Sequence, residues 1–324
     1  MRYSASSKYE IIRTVEESEL GIKRTLEQLG IARSTFYNWY DRYLSGGFDA
    51  LEDKKPCPTS VWNKVPADIR KQLVDLALDE TALSPRELAV RFTAQSNYFI
   101  SEATAYRILK AHDLITSPAW IVMKAADKFH EPTTAINQLW QTDFTYLKVT
   151  GWGWYYLSTI MDDFSRYIIS WRLCTGMAAS DVSATLEGAL MAAGLSDAQR
   201  PRLLSDNGPC YISGELKGWL KENGMMHTRG KPYHPMTQGK IERWHRTMKD
   251  RILLENHYLP GDLEKRLSEF INDYNTRRYH ESLNNLTPED VWLGRGQSIL
   301  EQRRKIKEET LKLRKQLYFQ KKAA

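Results

Sequence analysis

Apolar positions in the first third of the chain recur with the spacing of amphipathic helices. Between residues 8 and 44, Tyr9, Ile12 and Val15 share one face of a first predicted helix. A second short helix leads to Gly30, which permits a tight turn, and Ser34 is predicted to cap a third helix. This order is typical of a helix-turn-helix domain, which we assign to residues 1–55, with a generic three-helix bundle as the alternative.

The same pattern separates the predicted core of this domain from its polar face. The small core is predicted to contain Leu29, Ile31, Phe36 and Trp39. In a helix-turn-helix domain the helix after the turn enters the major groove of DNA, so its polar side chains are candidate contacts. These candidates are Arg33, Thr35, Tyr37, Asn38 and Arg42.

A second helical pattern occupies residues 56–115. Ser84-Pro85-Arg86-Glu87 has the form of a capping box with proline at the first helical position, and Ser101 opens a further helix. We interpret this region as a second helix-turn-helix domain, with a bundle that only contacts other proteins as the alternative. Its candidate DNA contacts are Thr104, Arg107 and Lys110. Residues 116–134 have no clear periodicity and are predicted to be a linker.

The hydrophobic period changes from that of helices to that of strands after residue 135. Three segments rich in aromatic and β-branched residues, 139–149, 153–162 and 166–174, are separated by short turns and predict three sequential antiparallel strands. Further helices and strands are predicted at 180–193, 202–206, 213–223, 225–229 and 238–254. An α/β domain is therefore expected over residues 135–295.

Three carboxylates lie at unusual places in this α/β pattern. Asp143 interrupts a strand, Asp206 ends a neighbouring strand, and Glu242 lies on the first turns of the long helix. An acid in a strand loses hydration, which a cation can offset, and Mg²⁺ prefers carboxylate oxygens. Taken singly, Asp206 is explained as a turn former and Glu242 as a solvated residue. Asp162 and Asp163, at a strand end before a turn, are assigned to structural roles.

The long helix combines an apolar stripe with a polar face. The stripe, Ile241, Trp244, Met248 and Ile252, is predicted to pack on the sheet. The opposite face presents Glu242 with His245 or Arg246 and Lys249. The basic residues of this helix are candidate DNA contacts: Arg243, Arg246 and Lys249. The preceding segment, residues 230–239, is predicted to be a mobile loop that DNA orders through Lys231, His234 and Lys240, or else a plain surface loop.

Composition narrows the classes of function. The net charge is +6, and residues 295–324 hold ten basic and three acidic side chains, which suits phosphate contacts or a solvated helix. Three cysteines and seven histidines without paired spacing argue against a disulfide framework and against structural zinc. No apolar run approaches the roughly 18 residues that span a bilayer, so we expect an intracellular protein without a membrane segment.

Three motifs carry a resemblance to a known family: Trp140-Gln141-Thr142-Asp143, Ser205-Asp206-Asn207-Gly208, and the run from Tyr233 to Arg243 that contains Gln238-Gly239-Lys240-Ile241-Glu242. With 35 residues between Asp206 and Glu242 and Lys249 seven positions later, the chain resembles insertion-sequence transposases of the IS-three group, within the retroviral-integrase-like DDE superfamily. Tyr274 to His280 and Leu286 to Asp290 are similar to the segment that closes the same domain.

The resemblance implies a ribonuclease-H-like core, an α/β fold with a mixed five-stranded sheet, preceded by the two all-α domains. It implies that Asp143, Asp206 and Glu242 bind two Mg²⁺ or Mn²⁺ ions. Water would free a 3′-hydroxyl at the element's end, and that hydroxyl would attack target DNA. A catalytically inactive DNA-binding regulator and a nuclease of the same fold are the alternatives.

The resemblance also implies partners and a location. The partners are double-stranded DNA, as terminal inverted repeats and as target, and further copies of the chain in a homodimer or larger assembly. A bacterial, cytoplasmic and nucleoid-associated protein is expected. No heptad run explains multimerisation, and the basic C-terminal helix predicted for residues 296–324 lies beyond the core, where it would bind DNA or a sister subunit.

Overall fold

The computed structural model describes residues 3–18, 20–52, 61–115, 133–196, 199–230 and 238–323. The chain divides into two compact units, Met1–Lys64 and Val65–Ala324. The predicted linker at 116–134 lies almost wholly outside the described residues, as does the loop that carries Lys231 and His234. No helix in the described ranges is long and apolar enough to cross a membrane.

The first unit is a helix-turn-helix domain, as predicted. It contains α1 (Ala5–Glu17), α2 (Ile22–Gln28) and α3 (Arg33–Gly46), followed by a 3₁₀ turn at Phe48–Leu51. Gly30 has a φ of 67°, the left-handed conformation that the turn between α2 and α3 requires. The buried core consists of Ile12, Val15, Leu26, Ile31, Phe36, Trp39 and Leu51.

Two local predictions for this unit are wrong. Leu29 is exposed, because it ends α2 and turns away from the core, and Leu26 is buried in its place. Ser34 does not cap α3, since the helix begins one residue earlier with Ala32 in the capping position. The sequence placed the helices correctly but missed their ends by one or two residues.

The second unit begins with three helices, α4 (Ala67–Asp79), α5 (Pro85–Ser96) and α6 (Glu102–Ala111). The predicted capping box is confirmed, because Ser84 and Glu87 exchange backbone-to-side-chain hydrogen bonds at the start of α5. Ser101 likewise accepts a hydrogen bond from the N–H of Thr104. The core between these helices is formed by Val65, Leu73, Ala89, Phe92, Tyr98, Ile100, Ala105 and Ile108.

A five-stranded mixed sheet follows, in the order β3-β2-β1-β4-β5. The strands are β1 (Leu139–Val149), β2 (Gly153–Asp162), β3 (Ile168–Cys174), β4 (Arg202–Ser205) and β5 (His227–Arg229). The first three form an antiparallel meander, whereas β4 and β5 run parallel to β1. Because β4 pairs only with Leu139 to Gln141, the later part of β1 is free on that side.

Helices cover both faces of the sheet. On one face, α7 (Ala179–Ala193), the short α8 (Pro209–Ile212) and α9 (Gly214–Glu222) pack against Trp140, Ile160 and Leu203. On the other, α10 (Gly239–Ile252) and α11 (Pro260–Thr276) pack against Leu147 and Leu157. The predicted stripe of α10 is confirmed, since Ile241, Trp244, Met248 and Ile252 are all buried.

The chain continues through α12 (Pro288–Trp292) into a single long helix, α13 (Gly296–Ala323). The buried residues of α13 are Ile306, Thr310 and Arg314. Thr310 accepts a hydrogen bond from the N–H of Phe99, and Arg314 donates to Tyr98 Oη and to the carbonyl of Phe99. The basic C-terminal helix exists as predicted, but one face of it is bound to the α4–α6 bundle.

Candidate active site and nucleic-acid interface

Asp143 and Asp206 lie side by side at the carboxyl end of β4. Asp206 directly follows that strand, and Asp143 lies two residues beyond the last β1 residue that pairs with it. Desolvation by the surrounding protein raises the pKa of Asp206, and the charge of Asp143 raises it further. A hydrogen bond from the Gly208 N–H lowers this pKa and offsets part of the rise. The two carboxylates are therefore near enough for the charge of one to affect the pKa of the other.

The turn that carries Asp206 is fixed by local contacts. Gly208 N–H donates to Asp206 Oδ1 at 2.9 Å. Tyr211, on α8, is buried, and its ring centroid lies 6.2 Å from that of Phe144, the neighbour of Asp143. The Phe144 N–H donates to Asp143 Oδ1 at 2.8 Å. Packing of Tyr211 on Phe144 therefore joins the two segments that supply the aspartates.

The start of α10 is attached to β1 beside Asp143. Gln238 Nε2 donates to the carbonyl of Thr142 at 3.3 Å, and the Ile241 N–H donates to Gln141 Oε1 at 3.2 Å. One turn later, His245 Nδ1 lies 3.4 Å from Asp143 Oδ2. Glu242 lies between these attachment points, on the first turns of α10.

The Glu242 carboxylate itself is exposed to solvent. Across the described ranges, no group of three histidine, cysteine or acidic side chains has the arrangement of a metal site. The helix that carries Glu242 thus contacts Asp143 through His245, while the Glu242 side chain is exposed to solvent. The donor set of three carboxylates has the oxygen chemistry that Mg²⁺ and Mn²⁺ prefer.

A buried polar network supports this arrangement from behind. Lys240 Nζ lies 2.6 Å from Asp163 Oδ2, and only 12% of the lysine side chain and 3% of the aspartate side chain are exposed. Gln141 Nε2 donates to Asp163 Oδ1 at 2.6 Å. The structural role predicted for Asp163 agrees with these contacts. Lys240 was expected to contact DNA, but its ammonium is bound within the protein, so we remove it from the candidate interface.

Asp162 is also fully buried and structural. Its Oδ1 accepts the N–H of Asn137, and its Oδ2 accepts both the N–H and the hydroxyl of Ser165. Burial raises the pKa of Asp162, and these hydrogen bonds lower it in part. The carboxylate therefore closes the turn between β2 and β3.

The candidate DNA contacts of the first unit are not equally available. Arg33, Tyr37 and Asn38 are exposed on α3, and Thr35 is partly buried there. Arg42 instead donates to the carbonyls of Ala50 and Glu52. This side chain holds the 3₁₀ turn, so the DNA contact predicted for it conflicts with its position.

The remaining candidates lie in the second unit. Arg107 and Lys110 are exposed on α6, and Thr104 is partly buried and accepts a hydrogen bond from Arg107. Arg243 and Arg246 are exposed on α10. The ammonium of Lys249 lies 4.2 Å from the centre of the Tyr146 ring.

No local pattern assigned a role to Gln141, Tyr146 or Trp154, and the sequence left His245 and Arg246 as alternatives. The structure shows that His245 is buried and Arg246 is exposed. The helical spacing alone did not decide which of the two lies on the side of Glu242. The contacts of Gln141 span 22 and 100 residues of sequence, so no local pattern indicates them.

Family models match most of the described elements. Two models described as integrase core domain match residues 133–235 and 223–288. A helix-turn-helix domain model matches residues 7–58, and a homeodomain-like model matches residues 35–109. The model matches thus follow the order of DNA-binding helices and α/β core described above.

Curated relatives align with much of this chain. The transposase InsF for insertion sequence IS3A of Escherichia coli is 25% identical over 297 residues, which cover 84% of this chain and 94% of the relative. These matches identify the chain as a transposase that is similar to those of the IS-three group of insertion sequences. A transposase for IS904 of Lactococcus lactis is 28% identical over 161 residues, and the aligned part spans 62% of that relative and 48% of this transposase.

Solved structures of retroviral integrases are also similar to this transposase. The catalytic core domain of HTLV-2 integrase, in complex with magnesium, is 20% identical and covers 48% of this chain and 97% of its own, with a TM-score of 0.40. The catalytic core domain of BIV integrase is 25% identical, covering 50% and 97%, with a TM-score of 0.38. By family, this transposase is an enzyme of the DDE polynucleotidyl transferase class.

Proposed function

We propose that this transposase cleaves DNA at the ends of a mobile element and joins those ends to target DNA, with Asp143, Asp206 and Glu242 as its acidic triad. The observation that carries the proposal is the attachment of α10 to β1 beside Asp143, at the point where Asp206 follows the neighbouring parallel strand. Carboxyl ends of parallel strands are where α/β sheets gather ligands.

The three carboxylates would hold two divalent cations, Mg²⁺ or Mn²⁺. Such ions, when bound, activate a nucleophile and stabilise the leaving oxygen of an in-line displacement. The raised pKa of Asp206, caused by desolvation and by Asp143, supports the assignment because a cation would relieve both effects. Glu242 has to turn from solvent towards the aspartates, and the adjoining segment 231–237 lies outside the described residues.

The residues of the chain would then position the DNA for two reactions. In the first, water breaks a phosphodiester bond and leaves a 3′-hydroxyl on the element. In the second, that hydroxyl oxygen attacks a target phosphorus and displaces a target 3′-oxygen, so one phosphodiester bond forms as another breaks. His245 orients the Asp143 carboxylate, and Arg243, Arg246 and Lys249 contact phosphates.

The helical regions would select the ends of the element. Arg33, Thr35, Tyr37 and Asn38 would read terminal inverted repeats through the major groove, with Thr104, Arg107 and Lys110 as a second set of contacts. Two ends have to meet for joining, so a homodimer or larger assembly on DNA is part of the proposal. We place this activity on nucleoid DNA in a bacterial cytoplasm.

The test uses labelled duplexes that carry the ends of the element, with Mg²⁺ and with nicking and joining measured separately. Asp143→Asn and Glu242→Gln should each lower joining by roughly a thousandfold, since a catalytic metal contributes several kcal/mol. End binding, measured by electrophoretic shift, should persist. Asp250→Asn, at an exposed acid on the same helix, is the matched control and should join as the parent does.

The outcomes separate the candidate functions. Unchanged joining in Asp143→Asn would refute the triad. Hydrolysis without any joined product from the parent would favour a nuclease of this fold. End binding with neither reaction would favour a regulator that has kept the fold without the chemistry.

A further inference from the structure

Among the described residues, no helix covers one end of the central sheet. Beyond the residues that pack on α7 and α9, the same face of β1 and β2 carries Tyr146, Lys148, Trp154 and Tyr156, which we call the aromatic surface. The strand register places Tyr146 opposite Tyr156 and Lys148 opposite Trp154. Side chains directly opposite on neighbouring strands share one face, so these four form a continuous patch.

Two large aromatic side chains of this surface are exposed to solvent. Tyr146 is 57% exposed and Trp154 is 53% exposed. Their ring centroids are 5.4 Å apart in an edge-to-face arrangement, which holds both rings in defined orientations. The patch is thus ordered before anything covers it.

The aromatic surface is also basic. Lys249 reaches it from α10 and places its ammonium 4.2 Å from the Tyr146 ring centre, while Lys148 is exposed on the patch itself. The four residues that define the surface include one lysine and no acid, and Lys249 adds a second positive charge beside them. A purely apolar protein partner would have to desolvate both ammonium groups, whereas phosphates would neutralise them.

Both elements that build the surface also carry the candidate acids. Tyr146 follows Asp143 by three residues on β1, about 10 Å along the strand. Lys249 follows Glu242 by seven residues on α10, again about 10 Å along the axis. Because three residues is an odd offset, Tyr146 lies on the opposite face of β1 from Asp143. A DNA strand with its reacting phosphodiester at the acids would reach the aromatic surface around the edge of β1 beyond its pairing with β4, where Lys249 contacts Tyr146.

We propose that the aromatic surface stacks unpaired nucleobases of the DNA strand that reacts at the acidic triad. The inference rests on the proposed function and adds a site for single-stranded DNA to it. Aromatic rings accept the face of any base, and lysines between them bind the connecting phosphates. The surface would hold the bases next to the cleaved bond apart from their complement.

The test measures the affinity of the full chain for labelled single-stranded oligo(dT) by fluorescence anisotropy. Tyr146→Ala and Trp154→Ala should each weaken binding roughly tenfold, the effect typical of losing one base stack. Tyr146→Phe and Trp154→Phe keep a ring and should bind within about twofold of the parent. Tyr258→Ala, at a tyrosine that is 62% exposed elsewhere in the same domain, is the matched control and should bind as the parent does.

A blunt-ended duplex of two fully complementary strands, which has no unpaired bases, should bind all of these variants equally. Equal oligo(dT) affinity of the parent and both alanine variants, or an equal loss in Tyr258→Ala, would overturn the proposal. The proposal would also be overturned if Trp154→Ala changed the sedimentation of the protein but not its affinity for oligo(dT). That result would identify the surface as an interface between copies of the chain. Asp143→Asn should keep oligo(dT) affinity, so a failure of the proposed chemistry is distinguishable from a failure of stacking.

Discussion

Replacement of Lys240 by methionine tests whether this lysine stabilises the protein or contacts DNA. The substitution keeps an unbranched side chain and removes the ammonium, with its charge and its hydrogen bonds to the carboxylate and the carbonyl of Asp163. It leaves Asp163 buried with hydrogen bonds from Gln141 and Thr133 but without its cation. The expected result is a large loss of stability of the α/β domain.

The size of the effect follows from the geometry. Two unit charges 2.6 Å apart attract by about 6 kcal/mol at an effective dielectric constant of about 20. Most of that attraction offsets the desolvation of two side chains that are nearly buried. Removing one partner of a buried pair typically costs about 3–5 kcal/mol. Because Asp163 retains two hydrogen bonds, we expect the lower end, about 3 kcal/mol.

The assay is urea unfolding of the parent, Lys240→Met, Asp163→Asn and the double variant. The double variant should be more stable than the sum of the single changes implies, by about 2 kcal/mol, since it leaves no buried charge unpaired. Binding of duplex DNA to folded Lys240→Met should keep the parent's dependence on salt concentration.

The opposite results would support the role predicted for Lys240 from the sequence, a contact with DNA. If Lys240→Met unfolds within about 0.5 kcal/mol of the parent, the pair does not stabilise the domain. If the slope of log affinity against log salt also falls by about one, Lys240 releases a counterion and contacts a phosphate.

Two further predictions concern other buried groups. Arg314→Met removes the hydrogen bonds to Tyr98 and Phe99 and should speed amide hydrogen exchange in α13 by at least about tenfold. Lys315→Met, at an exposed neighbour, should leave the exchange rate unchanged. Equal exchange rates in the two variants would contradict the packing of α13 on the α4–α6 bundle. Burial, and then the charges of Arg278 and Arg166, lower the pKa of His280 to about 3. The unfolded chain therefore binds the extra proton first, so stability from neutral His280 is complete above about pH 6.5 and is lost as the pH falls towards 3. Between pH 7 and 5 the parent should lose about 2 kcal/mol more of its free energy of unfolding than His280→Gln, and parallel curves would refute this.

Regular elements were predictable because their signals are local. The alternation of apolar residues placed β1 and β2 at the observed bounds, and the capping box at Ser84 marked the start of α5. The prediction that Asp143 lies within one strand and Asp206 at the end of a neighbouring strand also agrees with the sheet. The ends of several elements were misplaced by one or two residues, such as the start of β5 at His227. In the first unit Leu29 and Ser34 were misplaced, since the helix ends there depend on backbone geometry rather than on side-chain type.

Side-chain partners that are distant in sequence were not predictable. Lys240 and Arg42 are basic residues on helices close to predicted DNA contacts, and no local pattern distinguishes an exposed cation from one bound inside the fold. Lys240 finds Asp163 at a separation of 77 residues. The open end of the sheet also escaped prediction, because it depends on how far α7 and α9 extend over β1 and β2.

The docking of α13 has a consequence for how the protein is made. Phe99 and Thr310, which are hydrogen-bonded, are separated by 211 positions, so the α4–α6 bundle is translated long before the helix that covers one of its sides. Until α13 is synthesised, the groups of the bundle that it covers remain exposed to solvent. Completion of this region is therefore a late, long-range folding event that follows synthesis of the entire sheet.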